Sequence, residues 1–141
     1  SLNLTNGSVF ETAKIKKKTI LFFYPKSFTP GCTIEVNEFQ KHLNKFKKLN
    51  IEIIGASKDP VEKNIKFANK YKLQYPLGSD ESKSCEKLGI WVEKSMYGKK
   101  YFGINRTTFL ISNDGEVYKI WNNVKVSGHV QEVLEISKNW N

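Results

Sequence analysis

Between Thr19 and Glu38 the chain reads TILFFYPKSFTPGCTIEVNE, and few folds accommodate such a stretch. Four consecutive apolar residues, Ile20 to Phe23, end at Tyr24-Pro25, and a short turn through Thr29, Pro30 and Gly31 leads to Cys32. An apolar run of that length between turn signals predicts a buried strand. Val36, Phe39, Leu43, Phe46 and Leu49 then recur at spacings of 3, 4, 3 and 3, which predicts one amphipathic helix running to about Leu49. Thr29 is expected to cap that helix and Pro30 to occupy its first position, where a missing N–H has no cost. Cys32 then falls in the first turn.

The first turn carries unpaired backbone N–H groups and the positive end of the helix dipole, both of which favour a thiolate over a thiol. For any cysteine, roughly two units below the ordinary pKa of about 8.5 are needed for mostly thiolate at neutral pH, a difference of about 2.7 kcal/mol. A helix terminus supplies roughly 0.3 to 2 kcal/mol. A further cation or more hydrogen-bond donors are therefore required, and the rest of the chain has to provide them.

A length of 141 residues with 39% hydrophobic and 13% aromatic content fits one domain over residues 1–141 with an ordinary core, and excludes a disordered or fibrous chain. No apolar run approaches the roughly 18 residues that span a bilayer, and Ser1 to Phe10 is polar, so no membrane association is expected. The only cysteines, Cys32 and Cys85, form neither a disulfide framework nor a Cys-x-x-Cys pair, and with His42 and His129 they show no metal-ligand spacing. No metal is expected. An intracellular setting follows, cytoplasmic or nuclear, with an organelle as the alternative should a targeting segment precede Ser1.

The formal charge is +9, yet Arg106 is the only arginine among 23 basic residues and the lysines are scattered. Nucleic-acid readers concentrate arginine and aromatic residues on one face, so a solvated lysine surface is the preferred reading. Salt-sensitive, non-specific nucleic-acid binding remains the alternative.

Along the chain, Leu2 to Leu4 and Val9 to Glu11 flank Asn6-Gly7, which predicts an N-terminal β-hairpin. Ile51 to Ala56 is a second β-branched strand, and Asp59-Pro60 is expected to cap a helix whose face is Val61, Ile65, Ala68 and Tyr71. Tyr75 to Leu77 reads as a short extended piece, Ser79 to Gly89 as a short helix closed by glycine, and Trp91 to Tyr101 as an irregular basic loop. Thr107 to Ile111 and Glu116 to Trp121 form an antiparallel pair around Asn113-Asp114-Gly115, and a last helix is expected from Ser127 to Trp140. This order predicts an α/β fold with a central mixed sheet and helices on both faces, of the thioredoxin-like kind with an N-terminal hairpin.

Arg106 stands at the start of an otherwise apolar strand in a chain that uses lysine for every other fixed positive charge. A guanidinium there offers a rigid fork of donors that an ammonium lacks. With this residue the motifs assemble. Pro25-x-x-x-Thr29-x-x-Cys32, set in FFYPKSFTPGCT, resembles the active-site motif of the peroxiredoxins, specifically the bacterioferritin-comigratory-protein or Q type. The resemblance extends through YPLGSD (Tyr75 to Asp80), CEKLGIW (Cys85 to Trp91), FGINRTTFLI (Phe102 to Ile111) and NDG (Asn113 to Gly115), almost the whole chain.

The resemblance implies a thioredoxin-like fold and reduction of hydrogen peroxide and organic hydroperoxides, with Cys32 as the peroxidatic thiol and no cofactor. Pro25 would shield the thiolate from bulk water, and the Thr29 hydroxyl would accept the peroxide hydrogen bond. Arg106 would stabilise the thiolate and the charge developing on the leaving oxygen, supported by the N–H groups of Cys32 and Gly31 and by Glu35, one turn along the helix. One departure stands out. The two positions where this type places a resolving cysteine are here Asn37 and Ala68, and Cys85, in a block where cysteine occurs without that role, is the weaker candidate. A one-cysteine cycle is expected, with the sulfenic acid reduced by an external thiol such as thioredoxin, glutaredoxin or glutathione, in a protein that is a monomer or, as the alternative, a dimer.

Overall fold

In the computed structural model, which describes residues 1–140, strict alternation in the central strands sets the layering. Strand β1 (Leu2–Leu4) pairs with β2 (Val9–Phe10), and a 3-10 turn at Thr12–Lys14 leads to β3 (Lys18–Phe23). Helices α1 (Pro30–Lys41) and α2 (Leu43–Lys48) precede β4 (Ile51–Ser57), α3 (Val61–Lys70), β5 (Leu77–Ser79) and α4 (Ser84–Lys87). Then come β6 (Trp91–Met96), β7 (Lys99–Ile104), β8 (Thr107–Ile111), β9 (Val117–Trp121) and α5 (His129–Ser137). Seven strands form a mixed sheet in the order β2-β1-β5-β4-β3-β8-β9, with β3, β4 and β5 parallel and the other neighbours antiparallel; β6 and β7 form a separate hairpin.

Because successive strand residues face opposite ways, β3 serves two cores. Ile20 and Phe22, with Tyr24 just beyond, pack with Val36, Phe39, Phe46, Phe67 and Val133, drawn from α1, α2, α3 and α5. Leu21 and Phe23 face the other way, toward Ile54, Cys85, Ile90, Ile104 and Phe109. The helices expected on both faces are thus distributed unequally. Four lie on one side, while short α4 and the base of the β6–β7 hairpin cover the other.

The expected helix to Leu49 is broken at His42, whose backbone (φ −98, ψ 6) leaves the helical basin. Apolar spacings of 3, 4, 3 and 3 average less than the helical 3.6, so a straight helix would rotate Phe46 away from the sheet. The break restores the phase and keeps Leu43 and Phe46 buried. Asp59 does not cap α3: Lys63 and Asn64 donate to the Pro60 carbonyl, and the Asp59 carboxylate is engaged elsewhere. The buried side of α3 is Asn64, Phe67 and Ala68, with Val61, Ile65 and Tyr71 only half-buried.

The stretch expected to be an irregular loop is the β6–β7 hairpin, turned at Tyr97 (φ 52) and Gly98 (φ 77) between the paired Met96 and Lys99. Two left-handed residues make the primed turn that matches strand twist, and a tyrosine in the first of them gives no turn signal. Helix α4 is only four residues long because Ser79 to Lys83 lead into it rather than join it: the Asp80 carboxylate accepts the N–H groups of Ser82, Ser84 and Cys85. The last helix is also shorter than the predicted Ser127 to Trp140, following Gly128 in the left-handed region.

Gly55, in the middle of β4, is required by contact. A Cβ there would lie 2.6 Å from the Phe22 ring and 2.9 Å from Leu77. Gly55→Ala should lower stability by about 1 to 3 kcal/mol through overpacking, read from urea unfolding midpoints; an unchanged midpoint would refute the packing argument.

Candidate active site

The loop from β3 to α1 begins at half-buried Pro25 and is fastened from below. The Ser27 N–H donates to Asp59 Oδ2 at 2.7 Å, and the Ser27 hydroxyl donates to Asn64 Oδ1 at 2.6 Å, where the Tyr24 hydroxyl also donates at 2.7 Å. Phe28 takes a left-handed backbone (φ 68) and lays its ring 5.0 Å from that of Phe67. For a bulky residue this conformation costs on the order of 1 kcal/mol, held by the bonds on either side.

Thr29 takes the backbone position of a helix cap (φ −88, ψ 154), but its hydroxyl does not cap. It donates to the Lys26 carbonyl at 2.7 Å, a correction to the sequence expectation. Two consequences follow: the first-turn N–H groups are not engaged by a side-chain cap, and the hydroxyl, its proton committed, presents lone pairs.

Cys32 is fully buried in the first turn of α1. Arg106, just ahead of β8, places Nη2 3.2 Å from Cys32 Sγ and Nη1 2.7 Å from Glu35 Oε1. The fork therefore spans one turn of α1, from residue 32 to residue 35, which a single ammonium could not do. Gly31 allows the approach, since a Cβ there would meet Nη2 at 3.3 Å. Burial opposes the Arg106 charge, but Glu35 and Cys32 hold the guanidinium above its ordinary pKa. For Glu35, which is completely buried, burial outweighs the pull of Arg106 and pushes its carboxyl up to about 7.

Structure thus brings Cys32, Gly31, Glu35 and Arg106 together and puts Thr29 and Pro25 on the loop that delivers them. Cys85 lies elsewhere, in the core on the opposite face of the sheet from Cys32. Its thiol is buried, and that burial, followed by the neighbouring Asp80 carboxylate, pushes its pKa well up. Asn37 donates to the Thr33 carbonyl, and Ala68 is packed in the helical core. Among the described residues no cluster of three or more His, Cys, Asp and Glu is arranged to hold a metal, and no helix is long and apolar enough to cross a membrane.

Sequence reasoning missed the brace beneath the loop. Asn64 Nδ2 donates to Ser79 Oγ at 2.9 Å and to the Gly78 carbonyl at 3.2 Å, so one buried amide joins α3, β5 and the loop. A signal existed: Asn64 falls three residues after Val61 and four before Ala68, on the face meant for apolar side chains. Nothing local marks Asp59 as the acceptor for a residue 32 positions away.

Comparison with known proteins agrees with this arrangement. The AhpC/TSA family model matches residues 1–120. The putative peroxiredoxin bcp of Coxiella burnetii is 46% identical over 119 residues, covering 84% of this chain and 79% of the relative. Peroxiredoxin Bcp of Bacillus subtilis is 42% identical over 137 residues, covering 94% and 87%. A Xanthomonas campestris peroxiredoxin Q structure superposes with a TM-score of 0.90 at 38% identity over 99% of this chain and 89% of its own. A structure of the bacterioferritin comigratory protein from that organism, studied for its alkyl peroxide reduction activity, also scores 0.90 at 38% identity over 98% and 89%.

Two buried groups give opposite pH dependences. Glu35, ordinarily near 4.5 and here about 7, contributes stability that is fully present at low pH and lost as the pH rises to 7. His129, lowered by burial from 6.5 to about 4, contributes stability that is present above 6.5 and lost as the pH falls to 4. Glu35→Gln removes only the first, so stability measured by urea unfolding should climb more steeply between about pH 4.5 and 7 than in the parent protein. Identical slopes would show that Glu35 does not titrate in that window.

Proposed function

As a member of the AhpC/TSA family, and within it of the Bcp or Q type of peroxiredoxins, the chain is a thiol-dependent peroxidase with a thioredoxin-like fold, and we propose that Cys32 is its peroxidatic thiol. The observation that carries this reading is the Arg106 fork reaching Cys32 Sγ at 3.2 Å while anchored on Glu35. Hydrogen peroxide and organic hydroperoxides, alkyl peroxides among them, are the substrates.

The Cys32 thiolate attacks the terminal peroxide oxygen, so an S–O bond forms as the O–O bond breaks. The leaving oxygen takes up a proton, balancing the one the thiol lost on ionising, and departs as water or alcohol while the sulfur becomes a sulfenic acid. Arg106 balances the negative charge as it passes from sulfur to the leaving oxygen. Thr29, its own proton on the Lys26 carbonyl, offers lone pairs to the peroxide O–H, and Pro25 limits access of bulk water. First-turn N–H groups at Gly31 and Cys32 add positive potential.

Recycling follows a one-cysteine course. An external thiol condenses with the sulfenic acid, releasing water and leaving a mixed disulfide, and a second thiol frees Cys32. Asn37 and Ala68 supply no sulfur, and a Cys32–Cys85 bond would have to join the two faces of the sheet, which supports an external reductant. Binding of nucleic acid or another acidic partner through the lysine surface finds less support: the only arginine is directed inward to Cys32 and Glu35.

Cys32→Ser should abolish peroxide consumption with dithiothreitol while leaving the fold intact, because a hydroxyl is not appreciably ionised at neutral pH; substantial turnover in that variant would overturn the assignment. Arg106→Lys should lower the second-order rate with peroxide about 10²- to 10³-fold, and a rate near that of the parent would make Arg106 merely structural. Cys85→Ser should keep its turnover with an added thioredoxin system. Loss of turnover in that variant, together with a Cys32–Cys85 disulfide mapped in the parent protein after one equivalent of peroxide, would replace the one-cysteine cycle.

A further inference from the structure

Lys94 lies in the middle of β6, opposite Tyr101 of β7, on the hairpin that borders the site. Unlike the exposed Lys99 and Lys100, it is turned inward. Its Nζ donates to the Ile104 carbonyl at 2.6 Å, and its stem crosses Gly103, where a Cβ would lie 3.4 Å from Lys94 Cδ.

The carbonyl it holds is two residues before Arg106, in a segment tied down by neighbouring elements. The Asn105 N–H donates to the Ile90 carbonyl at 2.7 Å, the Thr107 hydroxyl to the Asn105 carbonyl at 2.7 Å, and the Val124 N–H to the Arg106 carbonyl at 2.9 Å. Ile104 is itself the last residue of β7, paired with Trp91 of β6, and Lys94 adds a side-chain bond to its carbonyl at the point where the chain leaves the hairpin for Arg106. The side chain these bonds orient toward the reacting sulfur is Arg106.

A neutral, apolar side chain of the same length would also cover Gly103, without the desolvation that an ammonium suffers. Burial does hold the Lys94 ammonium below its ordinary pKa, and the charge of Arg106 acts in the same direction, whereas Cys32 acts to raise it. On the outer side of the hairpin, Glu93 pairs with Lys100 at 3.7 Å rather than with Lys94.

We propose that Lys94 is a positioning residue for the peroxidase reaction, its ammonium clamping the Ile104 carbonyl so that the following turn aims Arg106 at Cys32. The assignment rests on Cys32 being the peroxidatic thiol. Misplacing a catalytic group by about 1 Å can cost on the order of 10²-fold in rate, so a clamp on the backbone of Arg106 has leverage.

The test uses the full chain carrying Cys85→Ser, so that iodoacetamide alkylation reports on Cys32 alone, and compares Lys94→Met with Lys94→Arg. Lys94→Met keeps the stem and loses the charge. Its alkylation profile should move to higher pH, and its second-order rate with hydrogen peroxide should fall about 10- to 10²-fold. Lys94→Arg, which retains a cation and a donor, should restore most of both. An alkylation profile unchanged in Lys94→Met overturns the proposal, whatever that variant's stability in urea, and so does a Lys94→Arg variant as slow as Lys94→Met. If Lys94→Met does not fold, Lys94→Leu takes its place: it covers Gly103 without a donor, and an unshifted profile again overturns the proposal. Alkylation needs no turnover, so failure of this inference is distinct from failure of the peroxidase assignment, which Cys32→Ser decides.

Discussion

The Arg106 guanidinium, held between Glu35 and Cys32, is the contact on which the site depends. It joins the first turn of α1 to the start of β8, through Glu35 and Arg106, which are 71 positions apart in sequence. A buried ion pair brings little net stability, because desolvation offsets most of its attraction. Its value here is geometric. With Glu35 fully buried and one guanidinium nitrogen committed to it, the other is left directed at sulfur, and Gly31 leaves the space through which it passes.

That contact holds only if α1 starts in the right place, and a second polar assembly ensures this. Asn64 gathers the Tyr24 and Ser27 hydroxyls, the Ser79 side chain and the Gly78 carbonyl in a buried network, while Asp59 takes the Ser27 N–H. Satisfied buried networks of this kind are costly to disturb and specify one arrangement. The loop can therefore carry Phe28 in a left-handed conformation next to the turn that holds Cys32. The same contacts join α3 and β5, elements without chemistry of their own, to the position of Cys32.

Much of this was legible in the chain. The apolar run before Tyr24-Pro25, the proline at the first helical position and the N-terminal Asn-Gly turn are local signals, and β3, the start of α1 and the β1–β2 hairpin lie where they predict. Two residues that the fold brings into contact were also visible, Cys32 by its place in a helix start and Arg106 by its rarity. Less legible were the break at His42 and the turn at Tyr97-Gly98, since both resolve competition between local preference and packing. The Thr29 hydroxyl illustrates the same competition: it has the residue type of a cap, yet a carbonyl three residues back takes its proton.

The strand–turn–helix that presents Cys32 and the α/β order of elements follow from the chain alone, because each is written in spacing or identity over a few residues. That Asp59 braces Ser27 rather than capping α3, that Lys94 turns inward to Ile104, and that Cys85 lies across the sheet from Cys32 emerge only once the chain is packed. Those outcomes depend on which polar groups and which sheet face burial brings together, and residue spacing along the chain carries no record of that.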